Sequence, residues 1–454
     1  MAVGKRKSSE QEMWVATSEL PRSPGHPFYR KLDELLRENG FDRYCEECCA
    51  PYYAEKMGRP SIPPGVYFRM LLVGYFEGID SQRGIAWRCS DSLALRDFLG
   101  MKATQASPDH SSLTVIRKRL PVEVHEQVFA KVLSIAQARG LLNGSTVAVD
   151  ATTLEANAAM KTIVRKDTGE DWNEYIGKLA KEAGLEDPTA EELRRFDRKR
   201  KGKKVSNDDW TSPSDPDSRI AKMKDGRTHL AYKAEHAVDL KSDLVVAARI
   251  YQADQGDPET LTETLAAAKL NLSEAGSEIT VEEAVADKGY HKAETLVECL
   301  EEAIRTYIPE RKGKRRVWTD KPLEQREAVY ANRRRCAGER GRRLQRWRSE
   351  KVERTFAHVC ETGGARRSWI RGLWEVSKRY LIQVAGHNLG VIMRKLFGIG
   401  TPRSLQGSLR AFFGLMTYVA RLIGHHLAHD NRLKPILFPE ASHISAAGQS
   451  AAAA

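Results

Sequence analysis

Two short apolar runs, each ending at an aspartate, constrain this chain more than anything else in it. The first, Thr146-Val147-Ala148-Val149-Asp150, follows a long stretch of helical spacing and changes the period abruptly, as a central strand delivering Asp150 at its edge would. The second covers residues 279–286, with Asp287 directly after it. Between the two, Leu230, Tyr232, Ala234, His236 and Val238 alternate. A turn at Lys241-Ser242-Asp243 and a further apolar run over 244–251 complete a hairpin pattern. A helix is expected over 258–270, another through Leu296 and Leu300, and a last strand over 305–308. The pattern is that of an α/β domain.

Helical spacing dominates what comes before. Tyr67, Met70, Leu71, Gly74 and Tyr75 recur on one face, as do Val128, Val132, Ile135 and Ala136, with Gly140 available to end that helix. Residues 28–140 are therefore expected to form a small helical domain, after a disordered lead over 1–27. In its last part, Ser107-Pro108-Asp109-His110-Ser111-Ser112 offers caps for a short helix bearing Arg117, Lys118 and Arg119. Arg117 and Arg119 are expected to face DNA, although a solvated charged face is the plain alternative. Residues 141–400 are expected to hold the α/β domain, with 160–228 as a polar surface insertion. Residues 311–351 are strongly basic and carry Trp318 and Trp347. Helices are expected over 352–359 and 368–397, a helical segment over 401–441 and a disordered Ser/Ala-rich tail over 442–454.

The charge balance narrows the partners. With 73 basic against 61 acidic side chains the net charge is +12 and the pI near 9.2, which favours a polyanion such as nucleic acid. No apolar stretch follows Lys5, Arg6 and Lys7, so no secretory signal is expected. Residues 411–423 contain Arg421 and are too few for a membrane span. A cytoplasmic, nucleoid-associated protein is the expectation. Seven cysteines without an export signal predict reduced thiols. Cys45, Cys48 and Cys49 are close enough to suggest zinc, with Cys89 or His110 completing the set. No second paired set exists, and buried thiols are the plainer expectation. His425, His426 and His429 are expected to be structural.

Asp150, Asp287 and Glu353 stand out as one constellation. Mg²⁺ prefers hard oxygen ligands, and carboxylates on two strand ends and a later helix can converge on one phosphate from distant parts of a sequence. An isolated aspartate at a strand end is more often a cap, and Glu353 alone could be a solvated helix residue. In three segments, however, Val147-Ala148-Val149-Asp150-Ala151-Thr152, Ala286-Asp287-Lys288-Gly289-Tyr290 and Val352-Glu353-Arg354-Thr355-Phe356-Ala357, the chain resembles the catalytic motifs of DDE transposases. The resembling group is the one related to insertion sequences four, five and eleven-eighty-two, and the likeness runs over about residues 58–397. Arg59-Pro60, Pro108-Asp109-His110-Ser111 and Gly386-His387-Asn388-Leu389 belong to it as well.

The resemblance, with the element order, implies a ribonuclease H-like catalytic domain with an insertion, preceded by a helical domain that binds DNA ends. It implies metal-dependent cleavage and strand transfer at the terminal inverted repeats of an insertion sequence. Asp150, Asp287 and Glu353 would hold two Mg²⁺ ions, with Mn²⁺ as a substitute. The expected partner is double-stranded DNA, bound by a homodimer without membrane association. Lys288, Arg346, Arg348 and Arg354 join Arg117 and Arg119 as expected DNA contacts. Many relatives carry a tyrosine and an arginine before the glutamate and a lysine after it, where this chain has Arg346, Ser349 and Cys360. That departure leaves the DNA-end intermediate open. A nuclease without strand transfer and a non-catalytic DNA-binding derivative are the alternatives.

Overall fold

The computed structural model describes residues 25–405, apart from 55–57, 59, 60, 103, 186, 187, 200–205, 224, 225, 312, 314 and 315. The expected lead up to residue 24, residues 406–454 with His425, His426 and His429, and the Arg59-Pro60 pair lie outside it. Of the expected segment 401–441, only a short 3-10 turn at Pro402–Leu405 is described.

Seven helices come first: α1 (Pro27–Glu38), α2 (Phe41–Cys49), α3 (Pro64–Glu77), α4 (Gln82–Asp91), α5 (Leu93–Phe98), α6 (His110–Arg119) and α7 (Val122–Ala138). Helix α3 is apolar on nearly every face and buried accordingly. Its one interior charge, Arg69, bonds Asp42 of α2, Asp33 of α1 and the Phe98 carbonyl of α5, so a single guanidinium joins four helices. Cys45 and Cys49 in α2 and Cys89 in α4 are buried in the same core, and all seven cysteines are free thiols.

The sheet begins at β1 (Thr146–Glu155). After it come β2 (Val164–Arg165), α8 (Trp172–Glu182), α9 (Ala190–Lys199) and β3 (Trp210–Thr211), with β2 and β3 pairing as a small separate ribbon. Next are β4 (Arg219–Lys222), β5 (Thr228–Asp239) and β6 (Val245–Gln252). The chain continues through α10 (Asp257–Glu274), β7 (Glu283–Val285), α11 (Ala293–Glu301), β8 (Arg305–Tyr307), α12 (Leu323–Ala337), α13 (Glu339–Phe356) and α14 (Leu373–Phe397). Strand β5 lies antiparallel to β1 on one edge and to β6 and β4 on the other. Strand β7 lies parallel to β1, and β8 parallel to β7. The order across the sheet is β6-β5-β1-β7-β8, with β4 extending the β5 edge.

Helix α14 ties the helical part to the sheet, packing on α7, α3 and β6. Its Asn388 amide accepts from the Val245 N–H at 2.9 Å and donates to the Val245 carbonyl at 2.8 Å, doing for an edge strand what another strand would. Gly386 lets α3 close in, since a Cβ there would stand 2.6 Å from the Tyr75 ring. Among the described residues, everything up to Gly400 belongs to one compact unit.

Two element expectations need correction. The basic stretch over 311–351 is mostly two helices, and the helix carrying Glu353 begins at Glu339 instead of 352. Its interior face, Gly341, Leu344, Val352 and Thr355, is narrow, and the exposed arginines around it obscure the period. The final long helix starts at Leu373 and not at 368.

Candidate active site

Asp150 sits in the middle of β1, opposite His236 of β5. Strand β7 runs parallel to β1 with Thr146 beside Glu283 and Ala148 beside Val285. Two more residues in this register bring Asp287 alongside Asp150 and onto the same face, because side chains alternate with period two. Burial pushes the Asp150 carboxyl above its ordinary value. The charges of Asp287 and Asp257 act in the same direction, against Arg348 and the Ala151 N–H.

Both carboxylates have defined neighbours. Asp150 accepts from the Ala151 N–H at 2.9 Å and from Arg348 Nη1 at 2.6 Å. Asp287 caps the turn Lys288–Tyr290 and accepts from the Gly289 N–H at 2.6 Å. Gly289 matters for what it lacks. A Cβ there would stand 2.7 Å from an oxygen of Asp287 and 2.7 Å from an oxygen of Asp257, so a side chain at this position would press on both carboxylates.

Beneath this turn lies a buried network that explains the tyrosine in the same motif. The Tyr290 hydroxyl donates to Glu235 Oε1 at 2.5 Å, and Thr260 and Thr264 of α10 donate to the same carboxylate at 3.1 and 2.8 Å. Lys233 Nζ reaches Thr260 at 2.9 Å and Asp257 at 2.8 Å. Burial raises both the Glu235 carboxyl and the Tyr290 hydroxyl, and the hydrogen bonds among them satisfy what burial strips of water. The network fastens the Asp287 turn and the start of α10 to β5. Sequence reasoning missed Lys233, Glu235 and Asp257. Two charges two residues apart inside a strand buried on both faces were the available signal.

Helix α13 crosses this face of the sheet. Gln345 donates to the Ala286 and Tyr307 carbonyls, Arg348 to Asp150, and Thr355 lies 2.9 Å from His236. Lys351 reaches the Leu240 carbonyl, next to the start of β1. Glu353, two residues on and about 200° around the helix, does not share the side of α13 that carries these contacts. It is exposed and makes no side-chain hydrogen bond or ion pair among the described residues. The structure thus brings Asp150 and Asp287 together and leaves Glu353 open. Among the described residues no three His, Cys, Asp or Glu side chains are close enough to hold a metal ion.

The expected DNA contacts divide. Arg346 and Lys288 are exposed. Arg354 is exposed and pairs with Glu350 at 2.5 Å, while Arg119 lies over the Tyr53 ring. Arg117 is a correction: it is buried and its guanidinium binds Glu375 of α14 at 2.7 Å, which joins α6 to α14. Arg348 is partly buried and paired with Asp150 at 2.6 Å. Trp347 is partly exposed between Arg343 and Lys351. No helix among the described residues is long and apolar enough to cross a membrane.

Comparison with known families agrees with this architecture. The transposase DDE domain matches residues 143–385, more than half of the chain, and a second transposase domain matches residues 18–119. An α/β domain with paired aspartates behind a helical domain is thus that of a transposase. The chain belongs to the DDE transposase family, in the type found with insertion sequences four and five. That family acts on DNA and generally uses divalent metal ions. No curated protein and no solved structure matches the chain.

Proposed function

We propose that this protein binds the terminal inverted repeats of its own insertion sequence, cuts at the element boundary and joins the freed ends to target DNA. The observation that carries the reading is the placement of Asp287 beside Asp150 across a parallel strand pair. The sheet order, three antiparallel strands continued by two parallel ones, supports a ribonuclease H-like catalytic domain over 141–400, with 28–140 recognising the element ends.

The hard oxygens of two neighbouring carboxylates suit Mg²⁺, or Mn²⁺ in its place. Asp150 and Asp287 would hold it, with Glu353 joining from the open flank of α13. Divalent metal bound there would activate the attacking oxygen and stabilise the leaving one. The protein's own residues do the positioning. The Gly289 N–H orients Asp287, Gln345 fixes α13 on the strand end, and Arg348 balances the Asp150 charge. Lys288, Arg346 and Arg354, exposed around this face, would neutralise backbone phosphates. Two ends must meet for joining, so the working form on DNA is a homodimer.

The test uses labelled element ends, Mg²⁺ and a target plasmid, with the folded variants Asp150→Asn, Asp287→Asn and Glu353→Gln beside the unmodified protein. Joined products are expected from the unmodified protein only, while gel-shift affinity survives in all three variants. Cleavage without joining would leave a nuclease, and binding alone a derivative that has lost catalysis. Near-normal cleavage by any one variant removes that residue from the site.

A further inference from the structure

We propose that duplex DNA is held a second time, away from the paired aspartates, in a groove between α6 and the segment 369–371 that leads into α14, where Lys118, Arg371 and Arg379 receive its backbone phosphate. The inference rests on the reading of the chain as a protein that binds element ends, and it makes end recognition a joint property of the helical part and the α/β part. The groove has about 560 Å³ of open space, between α6, the start of α4, Asn157 just beyond β1, and Trp369 to Arg371. Its frame is stiff, because Arg117 of α6 and Glu375 of α14, both in its wall, are bonded at 2.7 Å. Strand β1 connects it to the aspartates. Asp150 stands five residues before Glu155, where β1 ends and the Arg366 and Ser368 backbones bond to it. That is about 17 Å of strand, which a duplex laid along β1 spans in about five base pairs.

The charges lining the groove are unmatched. Glu375 is taken by Arg117 and Lys378, and Asp80 accepts from the Trp369 indole N–H at 2.6 Å. Lys118 is exposed and makes no hydrogen bond or ion pair among the described residues. Arg371 is exposed as well and bonds the Asn157 carbonyl through Nε at 3.1 Å, with no carboxylate partner among the described residues. Arg379 donates to the Ile79 carbonyl at 3.2 Å and likewise has no ion pair among them. Burial pulls its guanidinium down to about 10, a cost that an anion beside it would offset. In the same wall the Gln82 amide accepts from Thr114 at 2.6 Å while its buried Nε2 has no acceptor. A phosphodiester supplies what these groups lack, a negative charge and acceptor oxygens. Trp369, half exposed at the rim with Arg367 over its ring, offers an apolar surface to the sugar. Ser111, Val115 and Lys118 recur on the exposed side of α6, so the helix bordering the groove can enter a major groove while the neighbouring backbone is held.

The experiment measures gel-shift affinity of the full chain for an element-end duplex across a range of salt concentrations, with a thermal melt of each protein. The unmodified protein is compared with the double variant Lys118→Ala, Arg371→Ala and with Lys31→Ala, Arg43→Ala, which removes the same charge from α1 and α2, outside the groove. Loss of two phosphate contacts is expected to flatten the slope of log affinity against log salt by about 1.8 and to weaken binding by about tenfold or more. The α1–α2 pair is expected to do neither. Unchanged affinity and slope in the folded groove variant, while the unmodified protein binds the duplex, overturn the groove alone. An equal loss in both double variants overturns it too, since net charge then explains the effect. Absence of duplex binding by the unmodified protein removes the reading on which the inference rests. Should the groove variant fail to fold, Lys118→Ala alone decides, with a slope flatter by about 0.9 expected and an unchanged slope counting against the groove.

Discussion

Arg348 illustrates how one residue can be read in two ways. In sequence it is one of many arginines in a basic stretch, yet its guanidinium lies 2.6 Å from Asp150, 198 positions earlier. With 15% and 25% of their side chains exposed, the two form a largely buried pair that stands where carboxylates would otherwise repel. Arg348→Ala is expected to cost about 2 kcal/mol of stability, the range of a hydrogen bond between charged groups. Mn²⁺ should then raise the melting temperature of the variant by more than it raises that of the unmodified protein, since binding to the folded state alone stabilises it. Thermal melts with and without Mn²⁺ check this, and an equal shift in both proteins would mean that Arg348 does not compete for the Asp150 charge. Cys360 calls for the opposite expectation. It is buried beside Tyr380 in the π-turn Ala357–Thr362 that follows α13. Cys360→Ala should therefore lower stability while leaving cleavage per folded molecule within about twofold, because a small cavity costs packing and not chemistry.

At the scale of elements, α13 matters most, for it carries Arg348 and Glu353 on one rigid axis. Its start is squeezed against the end of α12, where a Cβ on Gly341 would stand 2.2 Å from the Arg335 carbonyl. Gly341→Ala is expected to destabilise the fold by about 1–3 kcal/mol, as overpacking does. It should also depress cleavage in the remaining folded protein by tilting α13. A variant that melts lower but cleaves normally would show that the helix absorbs the change locally. The elements differ in how far sequence discloses them. The β5–β6 hairpin is plain, because alternation and a turn with Asp243 in the left-handed region are local signals. The placement of Asp150 and Asp287 after apolar runs is plain for the same reason. The burial of Arg117 and Arg348 is not, since their partners Glu375 and Asp150 lie 258 and 198 positions away, and no local pattern tells a paired arginine from a solvated one. Asp257 hides likewise, as an acidic first-turn residue of α10 is what any helix favours.

On the scale of the whole molecule, three buried histidines sit where the helical part, the sheet and α14 meet. His125 of α7 lies against Tyr67 and Phe68 of α3 and 3.0 Å from the Pro121 carbonyl. His236 of β5 is bonded to Tyr380 of α14 and Thr355 of α13, and His387 of α14 lies 3.5 Å from the Tyr75 hydroxyl. Burial lowers all three, His125 to about 4, His387 to about 3 and His236 well below its ordinary value. A histidine held neutral in the fold stays unprotonated at a pH where the unfolded chain already binds the proton. Its contribution is therefore fully present above pH 6.5 and shrinks as pH falls toward the folded value. Over that window each such histidine adds a slope of about 1.4 kcal/mol per pH unit, so acid should loosen the joint between the parts before it exhausts the carboxylates. Denaturant unfolding at intervals from pH 7 to pH 4.5 is expected to show a steep loss of stability. His125→Phe, which fills the same space without a titrating group, should flatten that loss by about 1.4 kcal/mol per pH unit. An unchanged slope would mean that His125 takes up its proton without leaving the fold, and that the joint between α3 and α7 tolerates a charge.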